Sequence, residues 1–243
     1  MPSLSPLNET IHKQTAKEMI RDKIISMIAS GILQLDDELP SERELSTMLA
    51  VSRETVRGAI QLLAGEGVVQ VSQGARTRVC RIDVTVRTQR IGVTDPTSIN
   101  GYSLEAVHAA RLLVETAVAA DAARHLSADD IRRLDDSIAA QEQALDDPVR
   151  FLICDREFHL TIYYASTNRL LADFVVDLYT YMLDHRRIAM GEPGAIEKSL
   201  EDHRFIVRAL KMRNPEAVAA AFSEHILRIR DTSRAVDGRG LTN

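Results

Sequence analysis

From Ser103 to about Arg234 the chain repeats apolar residues at helical spacing almost without a break, and the stripes that must face a core carry an aspartate and three histidines. Asp155 and His159 stand four residues apart, so they project from one helix face together with Phe151, Phe158 and Ile162. His203 falls in the stripe Ile196, Leu200, Val207, Leu210, and His225 in the stripe Val218, Ala221, Phe222, Ile229. Three helices thus each turn a ligand-type side chain inward. Burying a lone carboxylate or imidazole is costly, and the cost falls when such groups share a cation. Asp155, His159, His203 and His225 suit a divalent transition metal, Zn²⁺ best, with Ni²⁺ or Mn²⁺ as alternatives. The other reading is ordinary core histidines with hydrogen-bond partners.

Helices are expected over 103–125, 127–146, 148–165, 168–190, 194–212 and 214–234, with Pro148, Pro193 and Pro215 at first-turn positions. The whole reads as an all-helical antiparallel bundle. His185 lies in an apolar stripe with Leu178, Tyr181 and Ile188, where it lines a cavity or fills core; His12, His108 and His125 carry no site signal. Composition agrees with a globular protein: 45% apolar, 27% charged, 4% aromatic and no Trp. No apolar run approaches the ~20 residues a bilayer span needs. Cys80 and Cys154 have no metal-type spacing, and the N-terminus shows no secretory pattern, so a cytoplasmic location with free thiols is expected.

The first 80 residues are organised differently. A helix from about Lys13 to Ser30 ends at Gly31, and Ser41 with Glu44 forms a capping box that opens a short helix. Ser52 caps a third, about Arg53 to Glu66. Val68–Val71 and Thr77–Cys80 then read as a hairpin. Three helices and a hairpin describe a winged helix-turn-helix, which places the third helix in a major groove. Arg53, Thr55 and Arg57 on that helix, with Ser52 at its cap, would face bases and phosphates; Ser41 and Arg43 would face the backbone; Gln73, Gly74 and Arg76 would form the wing tip. The net charge of −5 argues the other way, so DNA binding has to rest on local placement of arginine. The boundaries expected are 10–80 for this module, 81–102 for a Pro-, Thr- and Ser-containing linker, and 103–235 for the bundle.

The stretches Leu39-Pro40-Ser41-Glu42-Arg43-Glu44-Leu45, Val51-Ser52-Arg53-Glu54-Thr55-Val56-Arg57 and Glu66-Gly67-Val68-Val69 resemble the signature of GntR-family bacterial transcription regulators. Two positions depart from it: Gly58 stands where the family has a larger residue, and Gly74-Ala75-Arg76-Thr77 replaces a Gly-x-Gly-Thr wing. The bundle resembles the FCD effector domain of the FadR-like subgroup. Arg111-Leu-Leu-Val-Glu115 looks like its opening, Asp155-Arg-Glu-Phe-His159 like its D-x-x-F-H element, and His203 and His225 match its later histidines.

The resemblance implies a fold that is mainly α, a winged helix-turn-helix followed by a helical bundle. It also implies a homodimer that binds double-stranded operator DNA, and a divalent metal held by Asp155, His159, His203 and His225. A small organic acid effector would bind at that metal, and repression relieved by the effector is the commoner family mode. Arg111 is open to two readings, a fork for the effector carboxylate or an internal pair with Glu115. Asn168 is a second effector candidate, although its place at a helix start favours a cap. The alternatives are a regulator that senses the metal itself and a helical-bundle metalloenzyme. The latter lacks an evident general base and leaves the DNA-reading module without a purpose.

Overall fold

Helix starts in this chain are written in side-chain caps. The computed structural model describes residues 14–72, 76–82, 102–181 and 183–240. Helix α1 (Ala16–Ala29) opens on Thr15, whose hydroxyl and the Glu18 carboxylate form a reciprocal capping box. That Thr-x-x-Glu pair moves the start from Lys13 to Ala16. Helix α2 (Glu42–Met48) opens on the Ser41–Glu44 box, and α3 (Arg53–Gly65) on Ser52, whose Oγ accepts from the Thr55 amide at 3.1 Å. Gly31 has φ +78°, as expected for the residue that ends the α1 turn. Ile24, Met27, Leu45, Val56, Ile60 and Leu63 close the core between the three helices.

Strands β1 (Val69–Gln70) and β2 (Arg78–Val79) pair antiparallel, with Val69 opposite Val79. A contribution not visible in the sequence comes from the chain just after α1. Leu39 N donates to Thr77 O at 2.8 Å and Val79 N to Asp37 O at 3.0 Å, so this segment lies along the free side of β2. The pairing satisfies an edge that a two-residue hairpin would leave open. Gln73 and Gly74 of the wing, and most of the expected linker, lie outside the described residues.

The helical part comprises α4 (Leu104–His125), α5 (Ala128–Glu142), α6 (Pro148–Tyr164), α7 (Arg169–Tyr181), α8 (Leu183–Met190), α9 (Ala195–Lys211) and α10 (Pro215–Gly240). Ser103, Ser127, Asp147, Asn168 and Asn214 cap five of these. Helix α10 packs along α4 and α9, α5 along α6 and α9, and α7 along α4. Phe151, Phe158, Ile162, Leu210, Val218 and Phe222 are fully buried between them. The stretch expected as a helix over 168–190 contains α7 and α8, on either side of residue 182, which lies outside the described residues. His185 and Ile188, expected to point inward, are exposed, and Arg186 takes the inward position with no exposed surface. Among the described residues no helix is long and apolar enough to cross a membrane.

The two parts touch through charged contacts. Arg187 on α8 binds Asp37 with both terminal nitrogens, at 2.6 and 2.9 Å, and the Ile32 carbonyl at 2.6 Å. Arg150 pairs with Glu44 at 3.1 Å, Lys23 with Glu157, and Arg156 donates to Ser26 Oγ at 3.3 Å. Helix α2 rests against α5 and α6.

Gly58 sits inside α3 without a positive φ, and an added Cβ would meet only the Lys17 side chain, at 3.5 Å. Glycine in a helix interior costs up to about 1 kcal/mol relative to alanine. Gly58→Ala is therefore expected to raise stability by about 0.5–1 kcal/mol. Thermal or urea unfolding checks this, and a loss of stability would mean that α3 and α1 need a closer approach at Lys17.

Candidate metal and effector centre

Asp155 and His159 leave α6 from adjacent turns, His203 comes from the middle of α9 and His225 from the middle of α10. All four side chains are fully buried. One ligand-type nitrogen from each of His159, His203 and His225 lies within 4.8 Å of the others. Asp155 Oδ1 stands 3.4 Å from His203 Nε2 and 3.8 Å from His159 Nε2. The structure thus brings the four residues together.

The outer nitrogens of the rings fix their tautomers. His203 Nδ1 lies 2.7 Å from Gln141 Oε1, and His225 Nδ1 3.3 Å from Asp202 Oδ2. Both oxygens can only accept, so both Nδ1 atoms carry the proton. Tyr163 donates its hydroxyl proton to Glu115 Oε2 at 2.5 Å and lies 3.1 Å from His159 Nδ1, from which its oxygen accepts. Each ring therefore presents an Nε2 lone pair. These three Nε2 atoms are buried and have no hydrogen-bond partner among the described residues. Ring proton held outside and bare nitrogen held inside is the arrangement a metal-ligating histidine needs. Burial, followed by the neighbouring imidazoles, pushes the pKa of His159 and His203 well below the ordinary histidine value, which keeps these rings neutral as metal ligation requires. The donor set fits a divalent cation of the zinc type.

Asp155 is also held from the other side. Its Oδ1 accepts from Arg186 Nη2 at 2.6 Å and its Oδ2 from the Tyr179 hydroxyl. Burial opposes the Arg186 charge, but the adjacent Asp155 carboxylate overrides it and raises the guanidinium pKa above its ordinary value. Arg186 also lies over the Tyr179 ring, 5.0 Å from its centroid, with Arg111 at 5.8 Å from the same centroid. Arg111 is fully buried and pairs with Glu115, which makes the internal pair a fact; its Nη1 has no partner among the described residues. A chain of contacts runs from Arg111 through Glu115 and Tyr163 to His159. Asn168 is exposed, and its Oδ1 accepts from the Leu171 amide at 3.1 Å, so the structure gives it a capping place and does not gather it with the buried cluster.

Sequence reasoning missed Arg186, Asp202, Gln141, Tyr163 and Tyr179. Tyr163 could have been found from its spacing of four residues after His159. Arg186 stands seven residues after Tyr179, on the same helix face, but an arginine is not ordinarily placed in a core. His108 was passed over too. It is 2% exposed, and neither ring nitrogen has a partner among the described residues.

At the other end of the molecule, Ser41, Arg43, Ser52, Arg53, Arg57 and Arg76 are exposed and Thr55 is half-buried. Ser41 and Ser52 use their hydroxyls as caps. Arg57 lies against the Glu42 carboxylate, Nη2 to Oε2 at 2.8 Å, an exposed pair screened by solvent.

Comparison with known proteins agrees with this architecture. The family described as "Bacterial regulatory proteins, gntR family" matches residues 16–79, and the FCD domain matches residues 106–228. The HTH-type transcriptional repressor NanR of Salmonella typhimurium is 26% identical over 233 residues, covering 92% of this chain and 86% of its own. Among solved structures, Escherichia coli McbR/YncC shares the fold, with a TM-score of 0.56 and 17% identity over 92% of this chain and 99% of its own. The matched family is described as regulatory proteins, and NanR by its name is a transcriptional repressor.

Burial, then Arg111, Arg230, His185 and Arg186, lower the His108 pKa from 6.5 to about 4. Above pH 6.5 the ring is neutral in both folded and unfolded chains and contributes nothing to pH dependence. Below that pH the unfolded chain takes up a proton that the folded one refuses, so stability falls as pH drops from 6.5 toward 4. One such group contributes a slope of at most about 1.4 kcal/mol per pH unit. His108→Leu is expected to remove that share. Unfolding curves at pH 7, 6 and 5 check it, and an unchanged slope would place the acid sensitivity elsewhere.

Proposed function

From the premise that this chain belongs to the GntR family of bacterial regulators and carries an FCD domain, we propose that it is an operator-binding repressor controlled by a small organic acid. The reading divides the chain into a DNA-reading module (10–80), a linker (81–102) and an effector and dimerisation domain (103–235). One recognition helix reads only a half-site, so the active form is a homodimer. Arg53 and Arg57 reach bases, Ser52 and Thr55 the adjoining phosphates, Ser41 and Arg43 the backbone, and Gln73, Gly74 and Arg76 the wing contact. NanR, 26% identical to this chain, is a repressor, which supports repression over activation.

The observation that carries the control element is the convergence of three bare, buried Nε2 atoms, each with its Nδ1 proton tied outward. His159, His203 and His225, with Asp155 beside them, would hold a divalent cation, Zn²⁺ in preference to Ni²⁺ or Mn²⁺. Such an ion supplies Lewis-acid binding of a carboxylate. The Arg111 Nη1 N–H, without a partner among the described residues, favours an organic acid as the signal over the cation alone. Helix α8 offers the link to DNA: Arg186 reaches Asp155 and the next residue, Arg187, reaches Asp37 of the reader. An effector acts by binding one placement of the reader better than the other.

Two measurements test this. Arg53→Ala and Arg57→Ala should each weaken specific operator binding by about 1–3 kcal/mol at fixed salt. Operator affinity unchanged in both would remove α3 from the groove. His225→Ala should lower bound metal and thermal stability together, because one ligand is lost and the others are left poorly compensated. Full metal content by elemental analysis of that variant would rule out the histidine site.

A further inference from the structure

The exposed arginines of the reader, Arg43, Arg53, Arg57 and Arg76, are not equivalent. Of these four, Arg57 alone has an ion-pair partner for its guanidinium among the described residues. That partner, Glu42, is the first residue of α2, and Arg57 lies one turn into α3, so the packing of the two helices brings them together. The carboxylate lies along one edge of the guanidinium: Oε2 is 3.1 Å from Nε and 2.8 Å from Nη2, and Oε1 is 3.2 Å from Nε. The other edge, made by Nη1 and the second Nη2 hydrogen, meets no acceptor among the described residues. The Arg57 side chain is 61% exposed and that of Glu42 34%, so the arginine keeps an open surface while its backing is more covered.

A guanidinium is planar and its N–H groups form rigid forks. A carboxylate on the Nε edge takes one fork and leaves a second, which matches the O6 and N7 acceptors of guanine. The competing target is a phosphate. A carboxylate in contact with the guanidinium cancels most of its charge at a distance and itself repels phosphates, whereas hydrogen bonds to a neutral base edge are kept. Holding a long side chain before contact also reduces the rotamer freedom lost on binding. An exposed pair of this kind adds little to the stability of the fold. What it sets is the direction and the net charge of Arg57.

We infer that Glu42 is a positioning residue for DNA reading: it holds Arg57 by the Nε edge, so that the free edge reads a guanine and is kept from settling on a phosphate. The inference rests on the placement of α3 in the major groove proposed above and adds to it the residue that decides what Arg57 recognises.

The test uses the full-length protein. A duplex selected by the wild type from a random-sequence library is the specific probe, and a scrambled duplex of the same composition is the nonspecific one, both at one salt concentration. Glu42→Gln is expected to bind the scrambled duplex about twofold or more tighter and to lower the ratio of specific to nonspecific affinity by about tenfold. In an Arg57→Ala background the same substitution should change that ratio by less than about twofold, because Glu42 acts through Arg57. Guanines of the selected site are also replaced singly by a deaza analogue that lacks the N7 acceptor. One position in each half-site should then weaken the wild type and leave Arg57→Ala unaffected. A Glu42→Gln protein with the wild-type ratio overturns the positioning role. A fall in the ratio that persists in the Arg57→Ala background overturns it as well and makes Glu42 a direct reader, since a carboxylate can accept from cytosine N4. The absence of any guanine whose N7 matters only when Arg57 is present overturns the guanine assignment. Wild-type affinity and ratio in Arg57→Ala itself would instead remove the groove placement on which the inference rests. Binding of the scrambled duplex by each variant serves as the control for folding.

Discussion

The arginine–aspartate contact between Arg186 and Asp155 is the interaction around which this bundle is arranged. Both side chains are without exposed surface, on α8 and α6. A buried ion pair gains little over an apolar pair of the same size, but removing one partner costs about 3–5 kcal/mol because the other charge is stranded. The helices must therefore hold these two groups in register. They do so with a further buried pair, Arg111 and Glu115, and with two tyrosines whose hydroxyls donate to the two carboxylates. Burial and the nearby carboxylates push the Tyr163 and Tyr179 pKa values well above the ordinary tyrosine value, so both remain donors. The result is a polar centre inside an apolar shell of Phe151, Phe158 and Phe222.

That centre is stiff on its outer side. Gln141 from α5, Asp202 from α9 and Tyr163 from α6 each fix one imidazole. Asp202 is itself held by Arg228 at 3.0 Å. The inward side has no such ties. Rigid backing with open inner atoms is how a protein prepares ligands in advance, since the ordering cost is met during folding and not on binding.

Helix α8 connects this interior to the surface of the other module. Consecutive residues on a helix point about 100° apart, so Arg186 and Arg187 face different neighbours by necessity. One reaches the buried carboxylate and the other a carboxylate in the loop after α1. Asp37 belongs to the segment that pairs with β2, so the contact bears on the hairpin as well as on the helices of the reader. The buried pair and the domain contact are thereby held by consecutive residues of one eight-residue helix.

Much of this was legible in the chain alone. Side-chain caps marked the helix starts at Ser41, Ser52 and Ser127, because a cap is a local hydrogen bond between residues three apart, and Pro148 marked another as a first-turn proline. Helical periodicity placed Asp155, His159, His203 and His225 on inward faces for the same reason, that the direction of a side chain within one helix is a local property. What the sequence could not determine depends on relations between elements. Arg186 took the inward place expected for His185, and the segment after α1 became a partner of β2. The choice at Arg111 was likewise tertiary: spacing allowed a pair with Glu115, and only the packing of α4 against α6 and α7, which brings Tyr163 and Tyr179 to that pair, decided it. Local periodicity fixes which way a residue points from its own helix, but the partner it meets there is chosen by how the helices pack.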